Sequence, residues 1–167
     1  LPNGVELPPL ASVRGRREIE FLFPMPEANH PLLDNLQEQD PRSIIDRGLI
    51  KGFIDFTFIH EGQVFWIDWK SDVMSGYDPA TLQHHVDQHY DLQAWLYSLS
   101  VVRMLGIRDA GSYEEKFGGY LYVFLRGITP DSDMADGYVF HRPTWNDLCT
   151  FERSLVMDSR LPVRRNP

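Results

Sequence analysis

The sequence predicts an α/β fold, a mixed central β-sheet with helices crossing over and flanking it. Three observations carry this. Two strand-like segments, Lys51 to His60 and Gln63 to Trp69, stand on either side of Glu61-Gly62. A long stretch poor in helix breakers follows, at about 80 to 105. An apolar run, Tyr120-Leu121-Tyr122-Val123-Phe124-Leu125, comes after it, and strand, helix, strand in that order is the signature of a crossover.

Taken in order, residues 1–15 are rich in Pro and Gly and read as an extended arm, leaving 16–167 as one domain. Residues 17–24 alternate as a strand, stopped by Pro24 and Pro26. Residues 26–43 read as a loop with a short helix around Pro31 to Gln39. Phe53, Ile54, Phe56, Phe58 and Ile59 give the next strand its β-branched and aromatic character. Glu61-Gly62 is a two-residue turn, with Gly where φ turns positive. Residues 71–79 break the pattern. In the long helix Leu82, Val86, Leu92, Leu96, Leu99 and Met104 recur at mixed three- and four-residue spacing, and Gly106 ends it. Phe117 to Arg126 reads as a buried strand and residues 127–137 as a loop. Tyr138 to His141 is a short edge strand, and Thr144 to Val156 a final helix capped by Thr144. No internal repeat is present.

Composition narrows the function classes. The 167 residues are 43% apolar and 13% aromatic, enough to bury a core. The formal charge is −8, which argues against a general, charge-driven nucleic-acid binder but leaves room for a nuclease, whose site concentrates carboxylates. The basic residues cluster, Arg14, Arg16 and Arg17 near the start and Arg160, Arg164 and Arg165 near the end, and read first as solvated charge. Cys149 is a lone cysteine, which fits a reducing compartment. No apolar run approaches the ~18 residues of a membrane span. The chain opens Leu1-Pro2-Asn3, without Met or a signal-like region, and is expected to be a domain of a longer polypeptide.

The hairpin carries the chemistry. With Glu61-Gly62 as its turn, His60 faces Gln63 and, continuing along the ladder, Asp55 faces Asp68, their Cβ atoms about 4.5–5.5 Å apart. A four-residue loop gives the same register. Lys70 shares the Asp68 face of its strand. Two carboxylates so placed repel, and a divalent cation resolves the conflict. Oxygen donors favour Mg²⁺ or Mn²⁺ over zinc. Such an ion with a lysine beside it is equipment for phosphodiester hydrolysis. The plain alternative is an ion-pair trio on an edge hairpin. The apolar neighbours in Phe65-Trp66-Ile67-Asp68-Trp69-Lys70 favour a central strand, where an unpartnered Asp is costly.

Gly52-Phe53-Ile54-Asp55, Ile67-Asp68-Trp69-Lys70-Ser71 and Tyr90-Asp91-Leu92-Gln93-Ala94-Trp95-Leu96-Tyr97, with Phe117-Gly118-Gly119 leading into the later strand, resemble the nuclease domain of the RecB family, within the PD-(D/E)XK superfamily. The resemblance runs from about Arg16 to Pro143. Asp-x-Lys alone is a weak signal; the ordered set is much stronger. It implies a restriction-endonuclease-like core and an exodeoxyribonuclease using Mg²⁺, or Mn²⁺, within a cytoplasmic RecBCD-type repair and recombination enzyme. By the same resemblance Asp55, Asp68 and the backbone carbonyl of Trp69 would be metal ligands, and Lys70 the catalytic lysine. Gln93 and Tyr97, four apart and so on one helix face, would position DNA or the attacking water. Glu18 or Glu20 would match an upstream acidic position, and the residues do not choose between them. DNA, helicase domains of the same polypeptide and other subunits would be the partners, with ATP used outside this chain.

Two departures stand out. The family motif usually reads Asp-Tyr-Lys, and Trp69 replaces the tyrosine. The family also has an N-terminal helix whose histidine completes the metal site, and no matching segment precedes Arg16; His30 sits in a loop context that does not match.

Competing signals are weaker. His85 and His89, with His84 beside them, have a zinc-compatible spacing but no Glu or Cys partner. Tyr90, Trp95, Trp66 and Trp69 could stack on unpaired bases or pack a core. No phosphate-binding Gly-rich loop with Gly-Lys-[Ser/Thr] occurs. The alternatives are a nuclease-like module that binds DNA or a partner without cutting, and site-specific restriction on the same fold.

Overall fold

The computed structural model describes residues 1, 6–9, 12–24, 44–46, 49–129 and 136–157. The helix expected around Pro31 to Gln39, His30, and Arg160, Arg164 and Arg165 lie outside the described residues.

The hairpin forms as its turn chemistry requires. Strands β3 (Leu49–His60) and β4 (Gln63–Lys70) are joined by Glu61 and Gly62, at φ 49° and 83°. That positive-φ pair matches the twist of the flanking strands. The register runs from His60↔Gln63 to Phe56↔Ile67, as expected. It stops there. The ladder ends one rung before Asp55 and Asp68, so these two are not paired across it.

Strand β1 (Gly15–Pro24) lies antiparallel along the other side of β3. Strand β2 (Ile44–Asp46) pairs with residues 49–51 of β3. Strand β5 (Phe117–Phe124) runs parallel to β4, and β6 (Tyr138–His141) antiparallel to β5. The sheet is mixed, six-stranded and ordered β1-β3-β4-β5-β6, with β2 beside β3. The parallel step from β4 to β5 is bridged by α1 (Pro79–His89), α2 (Asp91–Met104) and α3 (Ala110–Lys116); α4 (Trp145–Met157) closes the described chain. This is the expected α/β architecture, compatible with a PD-(D/E)XK core. Among the described residues no helix is long and apolar enough to cross a membrane.

Four elements differ from the sequence reading. The long helix is two helices, broken at Tyr90 with φ −130° and ψ 4°. Neither Gly nor Pro marks this break. Helix α3 and strand β2 were not expected; both are too short for a periodic pattern to show. Strand β5 ends at Phe124, and residues 125–127 form a turn.

Helix α2 explains the core. Its stretch Leu92 to Val102 is buried except at Trp95, so it packs as an interior helix rather than a surface one. Trp66 of β4 lies beneath it, fully buried, stacked on Tyr120 at 4.6 Å and donating its indole N–H to Ser98 Oγ at 3.2 Å. The opposite sheet face carries Phe58, Phe65, Ile67 and Leu121, and Leu1, Leu7 and Val13 of the arm pack against it. Gly118 makes room there, since a Cβ would come within 2.2 Å of the Phe65 ring.

Strand β3 changes face in its middle. Ile50 and Ile54 join the α2-side core, whereas Phe56 and Phe58 pack on the other side. Residues two apart normally share a face, so the strand is twisted between Ile54 and Phe56. Across from that point Glu18 sits at φ 52°, and the β1–β3 register passes from Arg17↔Phe56 to Ile19↔Ile54 without pairing Glu18 and Asp55. Both ladders that flank β3 are therefore interrupted at Asp55.

Candidate active site

The interruption falls among acidic residues. Glu18, Asp55 and Asp68 each fall one position beyond a paired rung of β1, β3 and β4, and Asp68 pairs with Tyr122 on β5. Where the β3–β4 ladder ends, the side chain of Asp55 takes over part of its bonding. Asp55 Oδ2 accepts the Trp69 backbone N–H at 2.9 Å. Asp55 thus braces the opened hairpin, which corrects the expected face-to-face placement with Asp68. Glu20 is exposed and ion-paired with Lys51 at 3.1 Å. Glu18 is exposed as well, and lies opposite the interruption of the β1–β3 ladder.

Asp68 and Lys70 lie on the α2 side of β4. Asp68 is fully buried and Lys70 is 7% exposed. Lys70 Nζ meets Asp68 Oδ2 at 2.7 Å and donates to Gln93 Oε1 at 2.8 Å. Gln93 Oε1 also accepts the Tyr122 hydroxyl at 3.0 Å, and Gln93 Nε2 donates to the Tyr97 hydroxyl at 3.2 Å. Charge-assisted bonds of this kind are the strong ones in a low-dielectric interior. Gln93 and Tyr97 therefore act on Lys70, through one hydrogen-bonded chain. Tyr97 is also a core residue: its ring meets Phe21 and Trp66 edge-on, at 5.1 and 5.5 Å.

Three participants were not singled out for this role from the sequence. The Tyr90 ring lies 3.7 Å from Lys70 Nζ, and the Tyr122 ring 4.9 Å. The Tyr122 hydroxyl shares its one proton between Gln93 Oε1 and the Tyr90 carbonyl, at 3.0 and 3.2 Å. Asp72 Oδ1 accepts the Tyr90 hydroxyl at 2.7 Å and lies 3.1 Å from His85 Nε2. Burial works to raise the Asp72 carboxyl, but bonds from Tyr90, His85 and its own backbone hold it below its ordinary value. Tyr90 precedes Gln93 by three residues, a spacing that signals a shared side of the chain. Tyr122 carries no such signal, because its partner is set by parallel strand pairing.

The other candidates resolve into packing. Trp66 is interior, Trp69 is half-buried against the second core, and Trp95 packs on Phe151 while donating to Asp91 Oδ1 at 3.0 Å. His84 is exposed. Among the described residues no three His, Cys, Asp or Glu side chains are grouped so as to hold a metal ion between them. The donors at hand, two carboxylates and a peptide carbonyl, are all oxygen. They suit a hard cation that completes its shell with water. An apolar cleft of about 350 Å³, between Ile19, Ile59, Val64, Val101 and Met104, lies apart from these residues.

RecBCD enzyme subunit RecB of Escherichia coli is 39% identical to this chain over 145 residues, 75% of the chain. The chain belongs to the RecB family. Proteins of the same name from Haemophilus influenzae and Borreliella burgdorferi are 28% and 26% identical, over 83% and 80% of the chain. The chain spans 12% of the length of each of these RecB relatives. No family model matches it. The segments that carry the RecB resemblance are those that meet in space: the hairpin supplies Asp55, Asp68 and Lys70, and helix α2 supplies Gln93 and Tyr97.

Proposed function

We propose that this RecB-family chain is a nuclease domain that hydrolyses DNA phosphodiester bonds with a divalent cation. Residues 16–167 form the nuclease unit and residues 1–15 its arm. It works within a RecBCD-type repair and recombination enzyme, where helicase domains of the same polypeptide use ATP to feed DNA to it and other subunits dock around it. Cutting is exonucleolytic and sequence-nonspecific, as nothing in the chain resembles a base-reading element. The observation that carries the reading is the buried Asp68–Lys70–Gln93 array beside Asp55.

Asp55, Asp68 and the Trp69 carbonyl would hold Mg²⁺ or Mn²⁺, with Glu18 the further acidic group beside them. When bound, the ion supplies charge neutralisation at the phosphoryl oxygens and acidifies water. The Lys70 ammonium stabilises negative charge that grows on the phosphoryl group in the transition state. Gln93 holds that ammonium by one acceptor, and Tyr97 and Tyr122 hold Gln93. A lysine on a four-carbon stem loses much of its rotamer freedom to these bonds, so its orientation is set before the substrate arrives.

Calorimetric titration with Mn²⁺ tests the reading. Saturable binding in the wild type, lost in Asp55→Asn and Asp68→Asn variants that keep the wild-type circular dichroism, is the expected result. Binding unaffected by both substitutions would defeat it. Metal-sensitive DNA binding with no cleavage would point instead to a module that holds DNA without cutting.

A further inference from the structure

We propose that Tyr90, Asp72 and His85 form a brace that positions Lys70 through the face of the Tyr90 ring. The inference rests on the nuclease reading for what Lys70 does, but not for the existence of the brace.

The geometry runs outward from the ammonium. Two oxygens, Asp68 Oδ2 and Gln93 Oε1, take Lys70 Nζ at 2.7 and 2.8 Å. The π face of Tyr90 stands at 3.7 Å, close enough for a cation–π contact in a desolvated setting. A ring in that position constrains the ammonium only if its own orientation is fixed. Its hydroxyl is tied to Asp72 Oδ1 at 2.7 Å, and its face meets Tyr122 at 5.4 Å. Asp72 is in turn held at both ends. Its carboxylate contacts His85 Nε2 at 3.1 Å, and its backbone carbonyl accepts the Tyr77 hydroxyl at 2.9 Å. His85 is seated by His89 at 4.5 Å and Phe124 at 5.9 Å between ring centroids.

The break between α1 and α2 then has a purpose. A continuous helix would leave Tyr90 in a regular helical turn. At the break Tyr90 keeps its backbone bonds to Val86 and Ala94 but leaves helical φ, and its ring stands over Lys70 with its hydroxyl on Asp72. Tyr90 is thereby a positioning residue, and Asp72 with His85 is its anchor.

The test compares Tyr90→Leu, Asp72→Ala and Asp72→Asn in the full chain, by Mg²⁺-dependent cleavage of a labelled single-stranded oligonucleotide. Misplacing Lys70 lowers kcat by about tenfold in Tyr90→Leu and Asp72→Ala, with KM within about twofold of wild type. Asp72→Asn keeps an oxygen acceptor for Tyr90 and recovers most of the loss. Wild-type kcat in the first two variants, or a loss that Asp72→Asn does not recover, overturns the proposal. A second readout needs no activity. The Tyr90 ring shifts the Lys70 ε-methylene proton resonances upfield, and Asp72→Ala, but not Asp72→Asn, moves them back. Absence of that shift in the wild type, or its persistence in Asp72→Ala, also overturns the brace. A wild-type chain that cleaves nothing defeats the nuclease reading alone, and the resonance shift then decides the brace.

Discussion

The Asp68 carboxylate and the Lys70 ammonium meet at 2.7 Å on the α2 side of β4, with no surface of Asp68 exposed. Removing one partner of a buried pair leaves the other without compensation, at a cost of about 3–5 kcal/mol, whereas replacing both by apolar groups costs far less. Asp68→Ala is therefore expected to destabilise the chain strongly, and Asp68→Leu with Lys70→Met to be more stable than Asp68→Ala. Urea denaturation of the variants checks this; equal losses in the single and double variants would contradict it.

Gln93 joins Lys70 to Tyr97 and Tyr122 through a single buried amide. Gln93→Leu removes the acceptor of Lys70 and leaves buried polar groups short of a partner. The expected loss is about 1–3 kcal/mol, read as a lower urea midpoint at unchanged slope. Cleavage should fall further than stability explains, since the orientation of Lys70 is lost as well.

Trp66 anchors α2 to the sheet by stacking on Tyr120 and bonding Ser98. Trp66→Ala opens a cavity under the helix and is expected to cost about 3–5 kcal/mol. Thermal or urea unfolding measures it. Trp66→Phe, which keeps much of the ring volume, should cost less.

Asp72 gives the fold a pH dependence. Its carboxyl is held below its ordinary value of 3.8, so its contribution to stability is present above that pH and is lost as pH falls through the lowered value. Tyr90 and His85 are the titratable groups bonded to it. The stability difference between wild type and Asp72→Asn should favour the wild type near neutrality and shrink below about pH 4. Urea midpoints across that range give the curve, and a difference that grows toward acid would contradict it.

The hairpin was legible because its determinants are local. Gly62 supplies a positive φ, the alternation of β3 sets the pairing, and the register followed from the turn alone. The same logic failed one rung further on. Whether Asp55 and Asp68 pair depends on the twist of β3 between Ile54 and Phe56, and that twist also involves Glu18 on another strand. Gln93 and Tyr97 were found through their spacing and a family resemblance. Their action on Lys70 was not, since it depends on how α2 packs over β4. Tyr90 shows the limit most clearly. Nothing at that position in the chain breaks a helix, and its partners Tyr122 and Asp72 come from distant parts of the sequence.

The most direct test of the account is cleavage of single-stranded DNA by the chain, with Mg²⁺ and with a chelator, for wild type and for a folded Asp68→Asn variant. Asp68→Asn keeps the shape of the side chain but loses its charge beside Lys70. Magnesium-dependent cleavage by the wild type, reduced by about a thousandfold or more in the variant, is the predicted result. Cleavage at the wild-type rate by Asp68→Asn, or equal cleavage with the chelator present, would contradict it.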